Sequence, residues 1–101
     1  MPVDTSLVHK ALVSVVIEQT MLQIGDAPLL NEALLILYQK HGCYIPDCYD
    51  HPEYLLDVFK ELEGSSYLVV ADSIRAQLEE YSYHPEIRKF VEKISEIKCQ
   101  H

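Results

Sequence analysis

The chain has 101 residues, of which 49% are hydrophobic and 24% are charged, a balance typical of one soluble globular domain. This composition excludes general disorder, and division into two domains would leave halves too small to fold alone. Sixteen Asp and Glu residues against eight Lys and Arg give a formal charge of −8. Because nucleic-acid affinity comes mainly from cations that displace counterions, this charge predicts no nucleic-acid partner. We therefore expect a single domain over residues 1–101.

Apolar periodicity and glycine placement predict the first two helices. The apolar residues of the first, over about 6–23, cover more than half of its circumference, which is typical of a central helix or of a subunit interface. Gly25 follows it and is expected to adopt the positive φ of a helix C-terminus. Asp26 is then the expected N-cap of a second helix over about 27–41, and Gly42 is expected to end that helix.

Three more helices are predicted over about 51–63, 66–81 and 85–98. A His-Pro-Glu triplet opens the third and the fifth helix, with proline in a first turn that needs no backbone donor. Gly64 separates the third helix from the fourth. The β-prone run 68–70 lies inside a longer helical stripe and is expected to be helical. These elements predict an all-α fold, a compact bundle or orthogonal array of about five helices.

No segment predicts a membrane span or a secretory signal. The longest early apolar run, 11–17, contains Ser14 and ends at Glu18, far short of the ~20 residues that a span requires. No cationic leader with a small-residue cleavage pattern precedes it. Three cysteines in such a chain indicate reduced thiols. We therefore expect a cytoplasmic protein without a membrane partner.

Acidic residues spaced for one helix face provide a candidate docking surface. Glu53, Asp57 and Glu61 are four residues apart and therefore share one stripe of the third helix, and Asp50 lies just before it. We interpret these four carboxylates as a partner-binding surface. The alternatives are the solvated side of an amphipathic helix and a weak divalent-cation site.

The segment between the second and third helices has the residue types of a zinc site. His41, Cys43, Cys48 and His51 supply two imidazoles and two thiols, the ligands that tetrahedral zinc prefers. The four residues between the thiols match no standard zinc finger. A small metal-binding protein is therefore the alternative to an interaction protein, with zinc as its only implied cofactor, and a Cys43–Cys48 disulfide is a further option in an oxidising environment.

Two catalytic interpretations have less support from the sequence than the docking surface and the zinc site. Cys48, His51 and Asp50 have the composition of a nucleophilic triad, but residues so close in sequence rarely face one another with triad geometry. His9 invites comparison with the histidine phosphotransfer bundle, but it lacks the Lys-Gly pair that follows the phosphorylated histidine of such domains. We expect His9 to be an exposed first-turn residue and the chain to have no enzymatic activity.

The pattern as a whole resembles the Nitrosopumilus output domain, a small all-helical family of ammonia-oxidising archaea and their relatives. The resemblance covers roughly residues 16–78 and is carried by a helix–Gly–helix–Gly rhythm. The residues that carry it are Ile17-Glu18, Leu22 to Gly25, Leu34 to Tyr38, His41-Gly42, Ile45 to Asp47, Pro52-Glu53, Leu56 to Phe59, Ala71, Ile74 and Leu78.

Members of this family occur alone or attached to phosphoacceptor receiver domains. The resemblance thus implies a cytoplasmic signalling module that acts through protein contacts, with no catalytic residues to carry over. It also implies a receiver-type signalling protein as the partner. The thiols Cys43 and Cys48 are local to this chain. A homodimer through the unusually apolar first helix is a second hypothesis, taken from composition rather than from the resemblance.

Overall fold

The longest helix, α1 (Thr5–His41), is the element around which the others pack, in a computed structural model that describes residues 5–62 and 66–95. The helices that follow are α2 (Asp47–Asp50), α3 (Pro52–Glu61), α4 (Ser66–Glu79) and α5 (Pro85–Ser95). Within the described ranges there is no strand, so the predicted all-α class is confirmed. The β-prone run 68–70 is helical, as expected.

A break at Asp26 divides α1 into two arms, which we call the N-terminal arm (5–25) and the C-terminal arm (27–41). Asp26 has φ 56° and ψ −165°, and these are not helical angles. The predicted separation of two helices is therefore confirmed, but the prediction for Gly25 is wrong, since the positive φ falls one residue later. Gly25 is needed for space instead, because a Cβ there would lie 2.5 Å from the Cβ of Leu29.

Asp26 is also not the hydrogen-bonded N-cap that the sequence predicts. Its side chain is exposed and forms no hydrogen bond with another described residue. An aspartate in this backbone region is strained, because the region is populated almost only by glycine. By contrast, Gly42 has the expected positive φ of 61° and ends α1, while Gly64 lies outside the described residues.

The other boundaries differ from the predictions at helix ends. The short helix α2 was not predicted and forms within the expected connection. Because α2 runs to Asp50, the N-cap of α3 is His51, and Pro52 takes the first helical position. Helix α3 ends at Glu61, and α4 ends at Glu79 rather than near residue 81.

The core forms where the inner faces of both arms of α1 meet α3, α4 and α5. The apolar side chains from these helices that have no exposed surface are Val13, Ile17, Met21, Ala33, Leu37, Leu55, Val58, Phe59, Val70, Ile74, Leu78 and Ile87. Helix α4 and the turn after it lie against the N-terminal arm, since Gln77 donates a hydrogen bond to Thr20 at 2.8 Å and the ring of His84 lies 4.6 Å from the ring of His9. Because α1 contacts each of the other four helices, it organises the whole fold.

Replacing Asp26 by glycine should stabilise the protein. Glycine adopts the Asp26 backbone angles without steric penalty, so we expect the free energy of unfolding in urea to rise by about 1 kcal/mol, after part of the relieved strain is offset by the freer unfolded chain. Asp26→Ala is the matched control, since it removes the carboxylate but keeps a Cβ. An equal gain in both variants would contradict the role of backbone strain.

Candidate functional site

Each of the four carboxylates of the predicted docking surface lies within 3.3 Å of a lysine or histidine nitrogen. The pairs are Lys10–Asp50 at 2.9 Å, His51–Glu53 at 3.3 Å, His41–Asp57 at 3.0 Å and Lys40–Glu61 at 2.7 Å. Three of them, those of Lys10, Lys40 and His41, join α1 to the α2–α3 segment. The acidic stripe therefore contacts α1 as well as solvent, because its carboxylates stay about half exposed while they pair with residues of the chain.

The two lysines of these pairs have raised pKa values. The hydrogen bond that Lys10 donates to Asp50 raises the pKa of Lys10, and the one that Lys40 donates to Glu61 raises the pKa of Lys40. Both ammonium groups therefore stay charged over the whole physiological range. A cation bound to the stripe would have to displace these lysines and histidines, so the geometry gives no support to a divalent-cation site there.

A three-ring stack lies at the junction of α1 and α3. The ring of Tyr54 lies between His41, at a centroid distance of 3.9 Å, and His51, at 4.6 Å, with interplanar angles of 13° and 16°. Each histidine is at the same time within hydrogen-bond reach of a carboxylate, Asp57 for His41 and Glu53 for His51. The two imidazoles of the zinc hypothesis are thus held on opposite faces of one tyrosine.

The thiols of the zinc hypothesis lie in the interior. Cys43 and Cys48 are both buried and free of disulfides. In the described part of the chain, no group of three or more His, Cys, Asp or Glu side chains is arranged to hold a metal ion. His41, Cys43, Cys48 and His51 therefore do not form one coordination sphere, and zinc binding stays an untested hypothesis.

Burial makes Cys48 a poor nucleophile. Its thiol is inaccessible to solvent. Burial is the main cause that raises the pKa of Cys48 to about 12, and the nearby Cys43 and Asp47 raise it further. The other members of the hypothetical triad are engaged elsewhere, since His51 faces Glu53 and Asp50 binds Lys10. The structure does not assemble the triad.

The expectation for His9 is wrong, because His9 is buried, with 8% of its surface exposed. Its ring packs against His84 in the turn between α4 and α5, and its Nδ1 lies 3.5 Å from a carboxylate oxygen of Glu86 without forming a hydrogen bond. Periodicity could have indicated this position, since His9 is four residues before the buried Val13.

Two open grooves lie on the surface between helices. One, of about 400 Å³, runs between Tyr49 of α2 and Phe90 of α5, and the other, of about 560 Å³, lies between Arg75 and Arg88. Neither contains a nucleophile paired with a base. The Tyr49 hydroxyl beside the first groove is buried without a hydrogen-bond partner, and burial raises the pKa of Tyr49. These grooves indicate no reaction.

The N-terminal arm of α1 exposes an apolar stripe on the side opposite to the core. This stripe, here named the α1 outer face, consists of Val8, Ala11, Val15, Gln19 and Leu22, of which all but Leu22 are exposed. The spacing of three, four and seven residues places them on one side of the helix. Composition predicted that this helix is unusually apolar, but only the packing shows which apolar side chains stay outside.

One helix, over Leu7–His41, is long and apolar enough to cross a membrane by length and composition. The core helix of a soluble protein and a signal sequence pass the same criterion, and 39% of its most apolar window is buried inside the fold. The apolar run 11–17, which is too short to span a membrane by itself, is thus part of a longer apolar helix that is interrupted by the break at Asp26. The absence of a membrane partner stays a prediction.

The stack on Tyr54 gives the first prediction at this site. Tyr54→Ala removes the ring between His41 and His51, and we expect it to lower the free energy of unfolding by about 2 kcal/mol. Tyr54→Phe is the control, because it keeps the ring and should change stability by less than about 0.5 kcal/mol. Equal losses in urea denaturation would show that the hydroxyl matters rather than the stack.

The burial of Cys48 gives the second prediction. In a Cys43→Ser, Cys99→Ser background, iodoacetamide at pH 8 should alkylate Cys48 about a thousandfold more slowly in the native protein than in urea, because a rise in pKa from 9.0 to about 12 lowers the thiolate fraction by that factor. Mass spectrometry follows the reaction. Equal native and denatured rates would restore Cys48 as a candidate nucleophile.

Comparison with known proteins identifies no relative of this chain. A scan against protein-family models, a search of curated proteins and a search of solved structures found no match to this chain. The resemblance to the Nitrosopumilus output domain therefore rests on the sequence residues alone, and a function has to be argued from the surface of the molecule.

Proposed function

We propose that this chain is a non-enzymatic protein-interaction module that binds its partner through the α1 outer face. The observation that carries the proposal is the exposure of Val8, Ala11 and Val15 along one stripe of a helix whose opposite side forms the core. Contiguous apolar surface on a folded domain is typical of a docking site, and an amphipathic helix or groove of a partner would cover it.

The charges of the molecule also favour α1 over α3 as the docking surface. Asp50 and Glu61 already pair with lysines of the chain, and Glu53 and Asp57 already pair with histidines. A basic partner at the stripe would have to compete with those lysines and histidines, and exposed pairs of this kind contribute little net affinity. We therefore assign the acidic stripe a supporting role and place partner recognition on the apolar face.

The cellular setting of the proposal comes from the resemblance described above. A helical output domain of archaeal signal transduction acts through protein contacts, and its partner would be a receiver-type signalling protein in the cytoplasm. The apolar outer face supplies a surface for such a contact. The burial of Cys48 and the pairing of His41 and His51 support a module without catalysis, because they leave these groups unavailable for chemistry.

Affinity capture with matched variants tests this proposal. The full chain is used as bait in a native lysate of its source, and captured proteins are identified by mass spectrometry. Val15→Glu places a charge on the outer face and should reduce capture at least about tenfold. Val69→Glu is the control, since Val69 on α4 is 55% exposed and Val15 is 54% exposed.

A third variant separates the two candidate surfaces. The double charge reversal Asp57→Lys, Glu61→Lys alters the acidic stripe and should leave capture unchanged, with circular dichroism confirming that each variant is folded. Full capture by Val15→Glu would contradict the proposal. Loss only with the double reversal would move the docking surface back to α3.

A further inference from the structure

We propose that His9, His84 and Glu86 form a pH-sensitive clamp, in which protonation of His9 joins the first turns of α1 to the start of α5. The inference is independent of the docking surface on the α1 outer face, because His9 lies on the inner side of the same helix. Its basis is a buried imidazole nitrogen that has a carboxylate beside it and no hydrogen-bond partner.

The Nδ1 atom of His9 is an unsatisfied polar atom in the interior. Such atoms are uncommon in folded proteins, because a buried donor or acceptor without a partner costs free energy. A carboxylate oxygen of Glu86 lies 3.5 Å away, in the first turn of α5. The Glu86 side chain is 60% exposed, so a small rotation brings its carboxylate to hydrogen-bond distance.

The protonation state of His9 decides whether this contact becomes an ion pair. A neutral imidazole has a proton on only one of its two nitrogens, whereas an imidazolium donates from both. The imidazolium of His9 therefore presents an N–H to Glu86, and the contact becomes a charge-assisted hydrogen bond. Because histidine ordinarily changes its charge between about pH 5 and 8, the clamp closes on mild acidification and opens as the pH rises.

The ring of His84 limits the cluster to one added proton. Its centroid lies 4.6 Å from that of His9, and the ring of Tyr83 packs on His84 at 4.2 Å. Two imidazolium rings at this distance repel each other, so the pair binds a second proton less readily than the first. The first proton belongs on His9, since its Nδ1 faces the carboxylate of Glu86.

The other charged and titratable groups around the cluster leave the Glu86 carboxylate available. On α1, Lys10 is directed to Asp50 of α2 at 2.9 Å, so these two charges offset each other. Tyr49 of α2 and the exposed Lys89 of α5 line a groove together with Glu86. Burial is the main cause that raises the pKa of Tyr49, and the Glu86 carboxylate raises it further. The Tyr49 hydroxyl therefore stays neutral while the histidines titrate.

The contact between His9 and Glu86 stabilises the folded chain only while His9 is charged. A fold that contains the carboxylate binds this proton more tightly than the same fold without it, so the stabilisation is present in mildly acidic solution and is lost as the pH rises. Burial of the imidazolium opposes its protonation. The experiment therefore compares the chain with and without the Glu86 carboxylate at each pH.

A double-mutant cycle tests the clamp. The unmodified chain, His9→Gln, Glu86→Gln and the double variant are unfolded in urea at about pH 5.5 and at about pH 8, on either side of the usual histidine range. The coupling between the two positions should raise the folding equilibrium constant about tenfold in acid and less than about twofold in base. Equal coupling at both pH values, or none in acid, would overturn the inference.

His51 and Glu53 form the matched control pair. Their nearest side-chain atoms lie 3.3 Å apart, but the His51 side chain is 51% exposed, whereas that of His9 is 10% exposed. Water screens such an exposed pair, so the same cycle should give a coupling below about twofold at both pH values. If the two pairs showed the same pH-dependent coupling, the buried cluster would be an ordinary surface pair, and the clamp would be rejected.

Nitrogen NMR of the imidazole rings gives a local readout that keeps His9 in place. Glu86→Gln alters an exposed side chain and should lower the midpoint of the His9 titration by about one pH unit, whereas Glu53→Gln should leave that midpoint unchanged. His84→Gln should convert a two-step titration into a single step. A His9 midpoint that is the same with and without the Glu86 carboxylate would refute the clamp, whatever the stability of the variants.

Discussion

The structure depends on the burial of one side of α1. Val13, Ile17 and Met21 of its N-terminal arm and Leu37 of its C-terminal arm are inaccessible to solvent, and every other helix contacts α1. A helix at the edge of a core buries only the side that meets its neighbours. A helix that is apolar on both sides therefore leaves one apolar face exposed to solvent. The α1 outer face is the direct consequence, and it is the reason that an interaction function is the best-supported proposal.

The acidic residues illustrate how context changes the meaning of a pattern. The spacing of Glu53, Asp57 and Glu61 correctly predicts that they share one side of α3. It does not show that Lys40 and His41 lie beside them, because those residues reach α3 only after the chain reverses through α2. The carboxylates of this cluster pair with lysines and histidines of the chain itself, and two of these pairs join α1 to α3.

The histidines and cysteines between α1 and α3 follow the same logic. Their composition allows a zinc site, yet ligand geometry requires side chains that converge on one point. Here Tyr54 separates His41 from His51, and the two thiols are turned into the interior. The residue types of a metal site are thus used for ring stacking and core packing. Strain is concentrated at Asp26 instead, where the chain turns between the two arms of α1.

By itself the sequence determined the helical class, the break near residue 25, the positive φ of Gly42 and the helical state of the β-prone run 68–70, because these follow from local periodicity and from the stereochemistry of glycine and proline. Only the structure shows that Asp26 rather than Gly25 takes the positive φ. It also decided the burial of His9 and the pairing of Lys10 with Asp50. The burial of His9 and the Lys10–Asp50 pair depend on contacts between residues far apart in the chain, and local patterns carry no information about which distant side chains meet.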